Sequence, residues 1–301
     1  MIKNAWVYAI TSVESHYNCV GFYRSLSKRN ISHRYIASKN LVYFNNKFFY
    51  HDKEIERPDI IYSVNQFLFR TDVNNTVYRK VNDIIKSGVI CSNKFIPTFN
   101  ATDKWKAFNI MKNNNIRTPD TILIDKDTKY DGSIISRLGS PFVLKLIKGA
   151  TGNKYTLCYS EEELKLNFNT LNRMYDDITA VLAQQFISST AGMIVTVGVV
   201  KDISYRAVIR IGDPSSNIKF LGDTENNRTQ IAYKVDNKLR SVCDAVMNAF
   251  DLDCARIDMM VDDGEYYVLE ANPPGGMNIT DLMHNCLIAD DMVERSIQLY
   301  G

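Results

Sequence analysis

The sequence has little of what would place it in several common classes. Its six cysteines, Cys19, Cys91, Cys158, Cys243, Cys254 and Cys286, are scattered without a CxxC spacing, so they spell neither a zinc site nor a redox pair. Six thiols could form three disulfides, but nothing else in the 301 residues reads as secreted. No stretch approaches the run of about 18 apolar residues that a membrane helix needs, and the opening "MIKNAWVYAI" is strand-like, without the apolar core of a signal peptide. The four histidines, His16, His33, His51 and His284, show no metal spacing and read as structural or exposed. A net charge of only +2 gives no bulk attraction to nucleic acid or to an acidic membrane, so any bound anion must be held by a local site. These absences lead us to expect a soluble protein of a reducing cytoplasm, with neither nucleic acid nor membrane as partner; homo-oligomerisation is compatible with that expectation.

What remains is an ordinary globular composition, 45% hydrophobic and 23% charged, in a chain long enough for two or three packed subdomains. Residues 5–10 read as an apolar strand, and "YNCVGFYRSLSKRN" as a helix with Val20, Phe22, Tyr23 and Leu26 at helical spacing. "SHRYIAS", "LVYFNNKFFYH" with its Asn-Asn turn, and "DIIYSVN" read as strands, and "TDVNNTVYRKVNDIIKSG" as a helix, which makes residues 1–94 a small α/β domain. A helix "ATDKWKAFNIMKNNN", capped by Thr102 or Asp103, opens the segment 95–187. It continues as α+β, with strands "PFVLKLI" and "KYTLCY" around "KGATGN", a helix opened by Ser160 with Glu163 three residues on, and a strand "AVLAQQFI". A hairpin "MIVTVGVV" and "SYRAVIRIG", a helix "NKLRSVCDAVMNAF", a second hairpin and a final helix near residues 286–299 fill 188–301.

The second hairpin, "RIDMMVDDGEYYVLEANPPGG" (residues 256–276), carries three oxygen-bearing side chains on otherwise apolar runs. With the bend centred near Gly264, Asp258 falls opposite Glu270, and Asn272, two residues on, shares the face of Glu270. Two facing carboxylates repel unless a cation lies between them, and all-oxygen ligation suits Mg²⁺ or Mn²⁺. Mg²⁺ leaves its other positions to water and phosphate, which points to a nucleotide. Spacing alone leaves a solvated hairpin with acids on its outer face as an equal alternative.

"LKLIKGATGNKYTL" places Gly149 and Gly152 between two strands, where small residues let backbone amides approach phosphate oxygens; a two-glycine hairpin turn explains them equally well. It is neither a Walker A loop nor a Rossmann fingerprint. Lys145, between Leu144 and Leu146, points to the face opposite both, where it can reach phosphates as a point charge, though a strand lysine more often snorkels to water. Lys104, by spacing alone, is an ordinary surface lysine.

Together these segments resemble the ATP-grasp superfamily, in the right order along nearly the whole chain. "ATDKWKAFNIMKNNNIRTPDT", "PFVLKLIKGATGN", "AVLAQQFI" and "ARIDMMVDDGEYYVLEANPPGG" are similar to its first lysine segment, strand and glycine loop, adenine hinge and metal segment. The layout is most similar to the RimK branch of amino-acid ligases, with "SSNIKFLG" resembling that branch's asparagine-bearing stretch. The metal hairpin is also similar to that of D-alanine:D-alanine ligase, in which the arginine two positions before the aspartate neutralises the transferred phosphoryl group; Arg256 matches it. The implied fold is two α+β subdomains gripping ATP, preceded by a small α/β domain.

The resemblance implies that Lys104 and Lys145 hold phosphates, with Lys148, Gly149, Ala150, Thr151 and Gly152 covering them. It places Gln184, Gln185, Phe186 and Ile187 along the adenine edge, gives Asp258, Glu270 and Asn272 two Mg²⁺ ions (or Mn²⁺), and brings Arg210, Asn217 and Arg256 to the transferred group. The implied activity is a carboxylate-amine ligase that uses ATP to make an acyl phosphate and then an amide, adding an amino acid of the glutamate type to a small molecule, peptide or protein. Its carboxylate and amine substrates are left unnamed. Where the RimK branch reads "DiR", this chain has Met193, Ile194 and Val195, which removes an acid and an arginine; "NPPGG" departs from "NsSPG" but keeps Gly275. An ATP-binding protein without turnover, a dipeptide ligase and a phosphotransferase therefore stand as alternatives. Acceptor specificity is expected from "YSVNQFLFR" (residues 62–70) and from the loop after Asn272.

Overall fold

A computed structural model of the chain describes residues 1–9, 17–64, 75–147, 155–174, 178–188, 192–212, 229–273 and 278–301. The first segment runs β1 (Asn4–Ala9), α1 (Tyr17–Lys28), β2 (Ser32–Ala37), β3 (Leu41–Phe44), β4 (Lys47–Tyr50), β5 (Lys53–Ile55), β6 (Ile60–Ser63), α2 (Asn75–Ser87) and β7 (Ile90–Ser92). Strands in the order β2-β1-β6-β7 pair in parallel. A parallel sheet is covered on both faces, which is why β1 is buried and without a charged side chain from Ala5 to Ala9. Ala5, Val7 and Ala9 pack with Phe22 and Leu26 of α1, while Trp6 and Tyr8 pack with Val81 and Ile84 of α2. The small sheet β3-β4-β5 closes β3 onto β4 through Asn45 and Asn46, both left-handed at φ 49° and 60°, as the Asn-Asn signal predicts.

The next segment holds α3 (Phe95–Thr102), α4 (Lys104–Asn113), β8 (Thr121–Asp125), α5 (Ser133–Leu138), β9 (Phe142–Leu146), β10 (Tyr155–Cys158), α6 (Glu161–Met174) and β11 (Ala180–Gln185). Of the two candidate caps, Asp103 caps α4 by accepting from Lys106 N at 3.0 Å, while the Thr102 hydroxyl donates back to Thr98 O. Ser160 Oγ accepts from Glu163 N at 3.2 Å and Glu163 Oε2 accepts from Tyr159 N at 2.8 Å, a capping box displaced by one residue. The antiparallel sheet β10-β9-β11-β8 buries Leu144, Val181, Ala183 and Ile124 beneath α5 and α6. Its other face carries Lys145, Gln184 and Thr121.

The last segment holds β12 (Met193–Val200), β13 (Ser204–Ile211), β14 (Thr229–Tyr233), α7 (Asn237–Phe250), β15 (Cys254–Asp262), β16 (Glu265–Asn272), α8 (Asn278–His284) and α9 (Ile288–Tyr300). Strand order is β14-β13-β12-β15-β16. Val195, Val197, Ile257, Met259 and Val268 face a core shared with α3, α4 and α7. On the opposite face α8 and α9 press so closely that a Cβ on Gly198 would lie 2.6 Å from Ile288 Cδ1. Helix α9 then runs on beside α1 to cover the first sheet.

The first and last sheets meet at Asn93, fully buried and left-handed at φ 57°. Its Oδ1 accepts from Asp253 N and Cys254 N at 2.8 Å each, and its Nδ2 donates to Cys254 O at 2.7 Å. One side chain thus closes three backbone groups where two sheets touch.

Candidate active site

The β15–β16 hairpin turns through Asp263 and Gly264, both left-handed at φ 49° and 70°. Asp262 pairs with Glu265 and Met259 with Val268, so the turn is centred between these two residues and not on Gly264. Extended without interruption, that register would set Asp258 opposite Leu269. A bulge between Asp258 and Met259 restores Asp258 opposite Glu270, with Leu269 as the surplus residue. The expected pair is therefore present, but the expected pairings nearer the turn are not. The bulge also lets Tyr266 and Val268 enter the core while Glu270 and Asn272 face the other way.

Asp258 is 4% exposed. Its Oδ1 accepts from Thr196 Oγ1 at 2.7 Å and from Arg210 at 3.1 Å, and its Oδ2 from Arg256 at 2.9 Å. Burial pushes its carboxyl up, but Arg256, Arg210 and the Thr196 hydroxyl outweigh that and hold it below the ordinary aspartate range. Asn272 Nδ2 donates to Glu270 Oε1 at 3.1 Å and to Asp258 Oδ2 at 3.4 Å. Oxygens of both acids therefore converge on one point.

Across from the hairpin, Lys145 on β9 donates to Gln184 Oε1. Burial depresses its ammonium to about 8, with the charge of Glu270 opposing and that of Lys104 adding to the shift, so all three lie within electrostatic reach. Lys104 opens α4, where its backbone N donates to Ile147 O at 3.2 Å and ties the helix to the end of β9.

Residues 101–295 match the RimK-like ATP-grasp domain family. The chain belongs to that family. A probable alpha-L-glutamate ligase of Haemophilus influenzae (strain PittEE) is 23% identical over 210 residues, 69% of this chain and 67% of that protein. The ATP-grasp ligase PsnB, complexed with a minimal precursor, superposes with a TM-score of 0.74 at 14% identity over 99% of both chains. D-alanine–D-alanine ligase of Bacillus anthracis superposes at 0.66 with 16% identity, covering 99% of this chain and 97% of that one. Membership in the RimK-like ATP-grasp family carries a reaction class, the ATP-dependent joining of a carboxylate to an amine, with Mg²⁺ as the metal.

The residues of this RimK-like site fit that metal. Asn272 Nδ2 stands where the two acids converge; turning the amide over presents its oxygen, and two carboxylates with one amide oxygen form the hard donor set that Mg²⁺ takes. Among the described residues no three of His, Cys, Asp and Glu cluster as a metal site. All six cysteines are unbridged. Lys104 and Lys145 lie within electrostatic reach of Glu270, and Arg210 and Arg256 within reach of Asp258, so positive side chains outnumber the carboxylates here.

Arg210 is turned inward, its Nε donating to Thr196 Oγ1 at 2.8 Å, so its guanidinium is spent on Asp258. Gln184 is buried, whereas Gln185 is exposed and bonded to Asp120 through backbone and side chain; Phe186 is half-buried and Ile187 buried. Lys148, Gly149, Ala150, Thr151, Gly152, Asn217, Gly275 and residues 65–70 lie outside the described residues. Val195 sits in the core behind the sheet and Met193 is exposed at the strand's start. The valine at the expected arginine position thus faces away from Asp258. Sequence reasoning missed Thr196 and Thr121, since a lone threonine in a β-branched strand has no signal apart from its partner across the sheet.

Proposed function

We propose that the chain joins the amine of an amino acid to a carboxylate carried by a small molecule or peptide, through an acyl phosphate. The observation that carries this reading is the convergence of Asp258, Glu270 and Asn272 on one point, flanked by Arg256 and faced by Lys145. Bound MgATP supplies the phosphoryl group that turns a poor electrophile, the carboxylate, into an activated one. The chain's own part is positioning and charge. Asp258 and Glu270, with Asn272, hold the cation; Lys145 and Lys104 draw phosphate oxygens, and Arg256, on the rim of the metal set, is placed to turn from Asp258 to an incoming anion. No nucleophilic side chain is required.

Glutamate as the added amino acid is supported by the relatives described as probable alpha-L-glutamate ligases, and a peptide acceptor by the PsnB complexes with precursor. A cytoplasmic setting accords with the absence, among the described residues, of any helix long and apolar enough to cross a membrane.

The test is release of ADP and phosphate with pools of acids and amines, with mass spectrometry of the product. Amine-dependent phosphate release with a condensed product is expected, and Glu270→Gln should slow it by about 10²–10³-fold, the cost of losing one charged group in a dry site. An unchanged rate in that variant would reject the metal assignment. Nucleotide binding without amine-dependent release would leave a binding protein, and a product joining two free amino acids a dipeptide ligase.

A further inference from the structure

We propose that Gln184 is a positioning residue which, braced by Thr121, aims the Lys145 ammonium at the nucleotide's phosphates and does not read the adenine. This rests on the nucleotide reading above and goes beyond it by moving Gln184 from the base to the phosphate end of the site.

Gln184 and Thr121 face one another across β11 and β8, and Gln184 lies one step diagonally from Lys145 across β9. All three share the face turned away from the core under α5 and α6. Gln184 is 7% exposed and Thr121 1% exposed, so neither has a free surface to offer a base.

The hydrogen bonds have one consistent direction. An ammonium only donates, which fixes Gln184 Oε1 as acceptor. Gln184 Nε2 must then point the other way, donating to Thr121 Oγ1 at 2.9 Å. The Thr121 hydroxyl sends its own hydrogen to Pro119 O at 3.0 Å, a carbonyl that can only accept. Each end of the chain is fixed by chemistry, so the amide cannot flip without setting a donor against the ammonium. A lysine stem has four rotatable bonds; held by a buried acceptor it loses the freedom that phosphate binding would otherwise have to remove. Burial already pushes the ammonium down to about 8, so a fixed acceptor also supports the charged form that phosphate needs.

The experiment is calorimetric binding of inorganic tripolyphosphate and of ADP, each with Mg²⁺. The parent protein should bind both. Gln184→Met, close in size but unable to accept or donate, should weaken both by a similar factor of about tenfold, the range expected for a hydrogen bond to a charged group. Thr121→Val should reproduce part of that loss and Thr121→Ser, which keeps the hydroxyl, should restore it. In a Lys145→Met background, Gln184→Met should add less than about twofold. A loss confined to ADP, or one that persists undiminished without Lys145, would overturn the relay and return Gln184 to the base. A parent protein that binds neither ligand would remove the nucleotide reading itself, a different failure.

Discussion

At the scale of single residues, Asp258 is the centre of charge in the site. Two arginines and a threonine occupy its oxygens, and Thr196 in turn accepts from Arg210, so the hydroxyl locks the acid to its counter-ion. Replacing Thr196 by valine keeps the shape and leaves buried Arg210 Nε and Asp258 Oδ1 each one partner short. That should cost about 1–3 kcal/mol of stability, read from denaturant unfolding, and weaken Mn²⁺ binding in the presence of ADP. Asp258, Glu270 and Asn272 are legible in the sequence because strand alternation and a turn signal fix their relation. Thr196 is not, because its role exists only once β12 lies beside β15. Gln184 was legible only as a neighbour of the hinge; its inward turn depends on Thr121, more than sixty positions away.

At the scale of elements, the hairpin explains how one strand serves two faces. Leu269 is surplus to the ladder: with it removed, Val268 would still face Met259 and Glu270 would still face Asp258 in an unbroken register. The surplus therefore serves curvature, since a bulge bends its strand and increases the local twist, re-aiming the carboxylate that follows. Gly264 must stay left-handed at φ 70°, so Gly264→Ala should destabilise the hairpin by about 1 kcal/mol, seen as a lower thermal midpoint. The hairpins and the longer helices α1, α2, α6, α7 and α9 are legible from turns and periodicity, whereas the short helices α5 and α8 are not. Nor is α3: the helix is expected only from Ala101, whereas the chain is already helical from Phe95, with Pro97 in the first turn, where no backbone N–H is needed. The three-residue strands β5 and β7 are too short to show a period, and β8 and β14 are not read as strands from the sequence; pairing with β4, β6, β11 and β13 reveals them.

At the scale of the molecule, the first and last sheets share the apolar cluster under α1 and α9 and are also tied by a few buried polar contacts. Asn93→Ala would strip partners from the amides of Asp253 and Cys254 and the carbonyl of Cys254, so we expect a loss of about 3–5 kcal/mol, measured by chemical unfolding. A second junction, where α1, α8 and α9 meet, encloses Asp281, which accepts from Ile288 N at 2.9 Å and from the Tyr17 hydroxyl at 3.2 Å. Burial raises its carboxyl from 3.8 to about 6 despite Ile288 N, Tyr17 and Arg206, with Asp291 adding to the rise. The folded chain keeps a proton that the unfolded chain has released between those values, so stability should fall as pH climbs through that window and level off above it. The change should be at most about 3 kcal/mol, less where solvent screens the carboxyl, and Asp281→Asn should flatten it in thermal melts taken across pH. Finally, α9 lies against the first sheet, with Met292 and Val293 beside Val7 and Phe22. Helices α1 and α2 can pack on the two faces of that sheet as soon as they are made, whereas the apolar cover added by α9 comes from far along the chain, so this corner completes its core by a late, long-range docking step.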